Sequence, residues 1–218
     1  MKDVNAVLIE KEQVSALEKE NISSTYVNIT ESELKSIRRY TNDTEYAGEI
    51  NAEARKRNNG EEDEVNSDIR ANYNNIKNCL SRNVLPEMCL QRGTSLYNLS
   101  KAIFSEEQEA EKFLRDYEEL SDLEMDEKYK DYVFVYGQLV STSKRIEIAC
   151  DFSDYSDGCV LEIHIPSGTP GLEVWEFSEY PEEEVLLTSD LKMRFDSFKT
   201  INNTRKCIKV SVVRTDIS

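Results

Sequence analysis

The segment Ser178-Glu-Tyr-Pro-Glu182-Glu-Glu184-Val-Leu-Leu187 carries two carboxylates just before an apolar run. In an extended segment, residues i and i+2 point to the same side. We therefore expect Glu182 and Glu184 to share a face at the mouth of a strand, while Glu183 points away. Two carboxylates on one face suit chemistry in which one stabilises a developing cation and the other handles a proton. An acidic turn before a strand is also common in a Glu-rich protein, so the segment alone leaves both interpretations open.

The hydrophobic pattern changes from helical spacing to period two about half-way along the chain. Helices are predicted at 10–20, 30–40, 46–56, 65–80 and 106–120. Strands, which are β-branched or aromatic runs bounded by Gly, Pro, Asn and Asp, are predicted at 88–93, 132–136, 160–165, 185–195 and 207–213. This order predicts an α+β fold with N-terminal helices packed on an antiparallel-rich sheet.

The composition limits the classes of partner. The chain has 218 residues, 39% of them hydrophobic, and a formal net charge of -16. Nucleic-acid phosphates and anionic membranes would repel such a charge, so we expect neither as the main partner. No stretch approaches the ~20 apolar residues of a membrane span, and residues 1–10 lack the apolar region of a signal peptide. We expect a cytosolic protein, or one delivered into a target cell without a signal peptide, unless a leader is missing from this sequence.

Cysteine and histidine usage argues against several kinds of site. The chain has five scattered cysteines, with no CxxC pair and no Cys/His cluster, and we expect reduced, mostly buried thiols. They are Cys79, Cys89, Cys150, Cys159 and Cys207. The single histidine, His164, lies in the alternating run 160–165 and is expected to be a strand residue. Because His164 is expected to be a strand residue and not a catalyst, no Ser/His/Asp triad is expected. A single histidine without a Cys/His cluster also argues against a zinc site, so no metal is expected.

Three motifs follow one another in a fixed order. Arg92 stands in Leu90-Gln-Arg-Gly-Thr-Ser95 at the predicted end of a strand, Ser141-Thr-Ser143 follows a second strand, and the Glu182-x-Glu184 pair comes last. This order and spacing resemble the Arg-Ser-Glu class of mono-ADP-ribosyltransferases, a family that includes bacterial exoenzyme toxins, phage enzymes and vertebrate ecto-enzymes.

Further segments are similar to the same family. They are Tyr40-Thr41 followed by Tyr46 and Ile50-Asn51, then Ala149-Cys-Asp-Phe152, and then Ile165-Pro-Ser-Gly-Thr-Pro-Gly171. The resemblance covers roughly residues 33 to 213. It implies an ADP-ribosyltransferase-like fold, in which N-terminal helices pack on a split antiparallel-rich β-sandwich. It also implies a single catalytic domain at 33–218, preceded by an N-terminal helical extension at 1–32.

The resemblance implies that NAD is the substrate and that its nicotinamide–ribose bond is cleaved. Glu184 would stabilise the oxocarbenium-like transition state, and Ser141 would position Glu184. Arg92 would bind the NAD phosphates, because a guanidinium binds phosphate in a bidentate manner. Further expected NAD-binding residues are Asn51, Gly93, Ser141, Thr142, Ser143 and Phe152. For Phe152, a role in the core remains an equal alternative.

The acceptor is predicted from Glu182. An arginine side chain must lose a proton as it attacks, and a second carboxylate can bind the guanidinium and accept that proton. In the family, Glu at this position goes with arginine acceptors, so the predicted partner is a protein target modified on arginine. Phe177 and Tyr180 are expected to contact that target, although anchoring of their loop to its own core is an equal alternative.

Two other functions remain open. The same site could use water as the acceptor, which would make the protein an NAD glycohydrolase, or the chain could be a non-catalytic relative that serves as a binding module. Arg92, Ser141, Glu182 and Glu184 favour the transferase. We expect a monomer.

Overall fold

Helices dominate the first part of the chain, and strands dominate the second. The computed structural model describes residues 29–60, 66–153, 157–180, 182–201 and 205–213. The helices are α1 Glu31–Asn42, α2 Thr44–Asn58, α3 Ser67–Arg82, α4 Leu96–Ile103, α5 Glu107–Glu119, α6 Asp122–Tyr129 and α7 Ile146–Phe152. The strands are β1 Val84–Leu85, β2 Met88–Ser95, β3 Val133–Tyr136, β4 Val140–Ser143, β5 Gly158–Ile165, β6 Thr169–Glu173, β7 Glu184–Leu187, β8 Leu191–Ile201 and β9 Arg205–Val212.

The strands form a mixed, mostly antiparallel sheet. Within the described ranges its order is β1-β6-β7-β4-β2-β5-β9-β8-β3, and β5 with β9 is a parallel pair. Strands β2 and β4 share one paired position, Gln91 opposite Ser143, so the sheet is nearly divided there. The predicted α+β class, with N-terminal helices and a mostly antiparallel sheet, is confirmed.

Local sequence signals account for the helices. In α3, four buried apolar residues recur at helical spacing, as predicted; they are Ile69, Tyr73, Ile76 and Leu80. Helix α2 begins after Asp43, whose side chain accepts a hydrogen bond from the backbone N–H of Tyr46 at 3.0 Å. The acidic helix α5 buries an apolar stripe and exposes its glutamate side chains. From that stripe, Phe113 stacks on Phe195 of β8 with ring centroids 5.9 Å apart.

Two predicted strands have different bounds. The run at 185–195 is interrupted, because β7 ends at Leu187 and β8 begins at Leu191, with Asp190 in a left-handed conformation (φ 70°) between them. The strand predicted at 88–93 continues past its glycine to Ser95, since Gly93 stays paired opposite Val160. The other predicted elements lie within two residues of the observed ones. The helix predicted at 10–20 and most of the predicted extension at 1–32 lie outside the described residues.

The cysteines and the histidine lie as expected. Cys79, Cys159 and Cys207 are buried thiols, whereas Cys89 is exposed. His164 is an exposed residue of β5, and its Nε2 lies 3.3 Å from Oε1 of Glu87. No helix within the described ranges combines the length and apolar character needed to cross a bilayer.

Candidate active site

One cleft of about 560 Å³ collects nearly all of the predicted site residues. Its walls come from α1, α2, β2, β4, α7 and the loop between β6 and β7, so it lies over the position where the sheet is nearly divided. The predicted residues that line it are Asn51, Arg92, Gly93, Ser141, Thr142, Ser143, Phe152, Tyr180, Glu182 and Glu184. Phe177 is the predicted site residue that does not line it.

Glu184 is a buried carboxylate with a specific partner. It is the first residue of β7 and only 4% exposed, and the Ser141 hydroxyl donates a hydrogen bond to its Oε1 at 2.6 Å. Burial raises the pKa of Glu184 to about 7; the Ser141 hydrogen bond and Arg92 oppose the rise, while Glu182 adds to it. The carboxyl therefore changes charge near neutral pH.

The Glu182–Glu184 segment is bent and not extended, and only Glu184 belongs to β7. Glu183 has φ 46°, a left-handed conformation that is uncommon for a residue other than glycine. The expectation that strand alternation places Glu182 and Glu184 on one face is therefore wrong. Both side chains nevertheless reach the same cleft. Burial also raises the pKa of Glu182.

Two hydroxyls of β4 hold this segment in place. The Ser143 hydroxyl donates to the carbonyl oxygen of Glu182 at 2.5 Å, and the Thr142 hydroxyl donates to that of Val185 at 2.6 Å. Thr142 and Ser143, predicted to bind NAD, thus use their hydroxyls to anchor the backbone around Glu184.

Arg92 bridges the nearly divided part of the sheet. Its Nη1 donates to the carbonyl oxygen of Ser141 on β4 at 2.6 Å. Its Nε is buried and has no hydrogen-bond partner among the described residues. Leaving a buried guanidinium donor unpaired is costly, and a donor of this kind can pair with an anion.

Gly93 is required by the close approach of a helix. A Cβ at this position would lie 1.9 Å from the carbonyl oxygen of Ala149 in α7. The glycine thus allows α7 to pack directly on β2, which the sequence alone did not indicate. At the end of α7, Phe152 is 52% exposed and lines the cleft, so it is not a core residue.

The helical wall adds residues that were not predicted as site residues. Asn51 donates to the hydroxyl of Tyr40 at 3.1 Å, while its own Oδ1 is buried without a partner among the described residues. Burial raises the pKa of Tyr40 to about 12, so its hydroxyl stays protonated. Arg55 also lines the cleft and donates to Gln138. The spacing of Asn51 and Arg55, i and i+4 on one helix, could have revealed Arg55.

The aromatic residues of the β6–β7 loop differ in exposure. Tyr180 is 51% exposed and Trp175, which was not predicted, is 46% exposed. Phe177 is 5% exposed, so it anchors its loop to the interior, as the alternative interpretation held. The aromatic side chains that this loop presents to solvent are therefore Trp175 and Tyr180.

The sequence profile of the ADP-ribosyltransferase exoenzyme family matches residues 14–215. The chain belongs to this family. This family consists of ADP-ribosyltransferases, which act on NAD. Arg92, Ser141 and Glu184 line one cleft. No curated protein matches the sequence.

Several solved structures have the same fold. The toxin Plx2a from Paenibacillus larvae is 21% identical, with a TM-score of 0.66 over 94% of this chain and 97% of that chain. C3stau2 from S. aureus, solved with NAD, is 17% identical, with a TM-score of 0.60 over 93% and 96%. The Vis toxin from Vibrio splendidus, solved with agmatine, is 20% identical, with a TM-score of 0.60 over 94% and 87%.

Proposed function

We propose that the protein is a mono-ADP-ribosyltransferase that cleaves the nicotinamide–ribose bond of NAD and transfers ADP-ribose to an arginine of a target protein. One observation carries the proposal. Glu182 and Glu184 line the same cleft, and Arg92 lies in its wall. The cleft therefore combines a group for phosphate with two carboxylates that can take different roles.

The cleft suits NAD in volume and in donor chemistry. Its volume of about 560 Å³ lies within the range of pockets that hold small molecules and cofactors. Arg92 would bind the diphosphate through its unpaired Nε and its guanidinium edge. The unpaired Oδ1 of Asn51 would accept a hydrogen bond from the bound dinucleotide. C3stau2, with the same fold, was solved with NAD.

Glu184 would act in the first step. The bond from the ribose carbon to the nicotinamide nitrogen breaks, and nicotinamide leaves as a neutral molecule with the electron pair. Positive charge develops on the ribose, and an ionised carboxylate in a water-poor site stabilises it strongly. The hydrogen bond from Ser141 fixes the direction of the Glu184 carboxylate before the reaction begins.

Glu182 would act in the second step. A guanidinium nitrogen of the target attacks the ribose carbon and releases a proton, and a carboxylate within reach can accept it. The raised pKa of Glu182 makes it a stronger base than an ordinary glutamate. The Vis toxin was solved with agmatine, which carries the same guanidinium group as arginine. This relative supports an arginine acceptor.

The loop that carries Glu182 would also contact the target protein. Its exposed aromatics are Trp175 and Tyr180, and Tyr180 also lines the cleft. Exposed aromatic side chains are common anchors of protein interfaces. A target arginine would thus approach between these aromatics and Glu182.

The second candidate is an NAD glycohydrolase that uses the same first step. Water as an acceptor needs no carboxylate to bind a guanidinium, so the position of Glu182 in the cleft favours transfer. The third interpretation, a non-catalytic binding module, accounts for neither carboxylate.

The proposal is tested by incubating the protein with NAD, with and without agmatine. Nicotinamide release and ADP-ribosyl-agmatine are both measured by chromatography. We expect Glu184→Gln to lose both activities by about 100-fold or more, since an electrostatic group at the reacting centre contributes that much. We expect Glu182→Gln to lose transfer while it keeps part of the nicotinamide release.

The matched control is Glu183→Gln, because Glu183 is exposed and lies between the two carboxylates. It should keep both activities. Nicotinamide release without ADP-ribosyl-agmatine in the wild type would favour the glycohydrolase. Near wild-type activity of Glu184→Gln would contradict the whole assignment.

A further inference from the structure

Helix α1 holds the β6–β7 loop through one side chain. Asn42, its last residue, donates from Nδ2 to the carbonyl oxygen of Phe177 at 3.3 Å. Its Oδ1 accepts from the backbone N–H of Glu179 at 2.8 Å. The two bonds lie on either side of Ser178 and join residues more than 130 positions apart in the chain. A single amide thus binds the middle of the loop.

An amide is the side chain that fits both partners. The Phe177 carbonyl needs a donor and the Glu179 N–H needs an acceptor, and Asn presents one of each in a plane. Aspartate has the same size but only acceptors when ionised, so it would face the Phe177 carbonyl with a repelling oxygen. Alanine would remove both bonds and leave two backbone groups of the loop without this partner.

The loop also has hydrogen bonds between its own residues. The Phe177 N–H donates to the Val174 carbonyl at 2.8 Å, and the Tyr180 N–H donates to the Ser178 hydroxyl at 3.1 Å. The two ends of the loop are joined by the bond from the Val174 N–H to the carbonyl oxygen of Glu184, at 2.9 Å. The buried ring of Phe177 anchors one side. Beyond Glu179 come Tyr180, which is exposed, and then Glu182 at the cleft. The Asn42 bonds therefore lie immediately before the residues assigned to the acceptor.

The same turn of α1 also reaches the NAD side of the cleft. Tyr40 and Thr41 line the cleft directly, and Tyr40 accepts the hydrogen bond from Asn51. We propose that Asn42 is a positioning residue that holds the β6–β7 loop so that Tyr180 and Glu182 face the bound acceptor. This inference rests on the proposed function, because the acceptor step is where its effect would appear.

The test compares Asn42→Ala and Asn42→Asp with the wild type and with Asn78→Ala. Asn78 is an exposed asparagine of α3, and its side chain makes no hydrogen bond to the described residues. Each variant is assayed for nicotinamide release without acceptor and for transfer to agmatine. Hydrogen exchange of peptides that cover residues 175–180 is followed by mass spectrometry. Thermal unfolding shows whether each variant is folded.

We expect both Asn42 variants to lose transfer, in kcat/KM for agmatine, by about tenfold, while nicotinamide release stays within about twofold. Exchange in the loop should become about tenfold faster in Asn42→Ala, since the Glu179 N–H loses its acceptor. Asn42→Asp keeps that acceptor and should protect the Glu179 N–H better than Asn42→Ala. Asn78→Ala should change none of these readouts.

Two results would overturn the inference. One is an unchanged rate of hydrogen exchange in the loop of a folded Asn42→Ala variant. The other is an equal loss of nicotinamide release and of transfer to agmatine. If the wild type forms no ADP-ribosyl-agmatine, the proposed function fails by itself. The exchange measurement then still decides whether Asn42 holds the loop.

Discussion

Glu184 is held in an environment that opposes its own charge. It is 4% exposed, and burial with the nearby Glu182 raises its pKa to about 7. Only the Ser141 hydrogen bond and Arg92 favour the ionised form. In the proposed first step this carboxylate must be charged to stabilise a cation, so a pKa of about 7 would make that step sensitive to pH.

The pH dependence of nicotinamide release tests this assignment. We expect kcat/KM for NAD to rise with pH and to level off above an apparent pKa near 7, because the free enzyme must lose the Glu184 proton. Ser141→Ala removes a hydrogen bond to the ionised carboxylate, so the apparent pKa of its profile should move to higher pH. Thr142→Ser, which keeps the hydroxyl that binds Val185, serves as a control. The same apparent pKa in the wild type and in Ser141→Ala would contradict the role of this hydrogen bond.

The same pKa has a consequence for stability. The pKa of Glu184 is about 7 in the folded protein against an ordinary value of 4.5, so the folded state binds more protons between these values. Stability contributed by the neutral carboxyl is present below about 4.5 and is lost as pH rises through about 7.

Glu184→Gln should therefore be more stable than the wild type at pH 8, by roughly 1–3 kcal/mol, and about equal to it at pH 4.5. Thermal unfolding at both pH values measures the difference. A variant that is less stable than the wild type at pH 8 would show that the carboxylate is better accommodated than its burial indicates.

At the scale of elements, the packing of α7 on β2 forms one wall of the site. The Cβ of an alanine at Gly93 would overlap the backbone of Ala149, and backbone cannot yield as a side chain can. The helix would have to move away from the strand, and it carries Phe152 into the cleft.

We expect Gly93→Ala to destabilise the protein by roughly 1–3 kcal/mol, as overpacking does, and to weaken NAD binding. Gly48→Ala is the matched control for stability alone, since Gly48 also lines the cleft; nothing lies within 4 Å of the Cβ added there. That change should stabilise the helix by about 0.5–1 kcal/mol. Urea unfolding and NAD titration measure both quantities. Equal stability of the two variants would contradict the close approach.

At the scale of the whole molecule, the cleft joins the two parts of a nearly divided sheet. Strands β2 and β4 share the single pair Gln91–Ser143, and Arg92 adds a bond from β2 to the Ser141 carbonyl on β4. A ligand bound by residues of both parts should therefore stabilise the fold as a unit.

NAD should raise the Tm of Glu184→Gln, which binds NAD without consuming it. At 100 times the Kd, binding contributes about 2.7 kcal/mol, which corresponds to roughly 5–10 °C for a chain of this size. Arg92→Lys in the same background should reduce this shift, because lysine cannot bind phosphate in a bidentate manner. Lys56→Arg, a conservative change in α2 outside the cleft, should leave it unchanged. An equal shift in the Arg92→Lys variant would contradict the role of Arg92.

Local sequence patterns determined the class of fold, and the resemblance to the ADP-ribosyltransferase family selected most of the residues that line the cleft. The 3.6-residue spacing in α3 and the period-two runs in β5 and β9 follow from burial of one face, which each element specifies on its own. Motif order along the chain was enough to select the residues that meet in the cleft, from Arg92 to Glu184.

Only the tertiary structure decided how these residues are presented. The left-handed conformation of Glu183, the contact of Gly93 with α7 and the burial of Phe177 depend on neighbours distant in sequence. The Asn42 bonds to the β6–β7 loop have the same origin. Local propensity cannot specify such features, because the free energy that selects them comes from packing and hydrogen bonds that form only when the separate elements have come together.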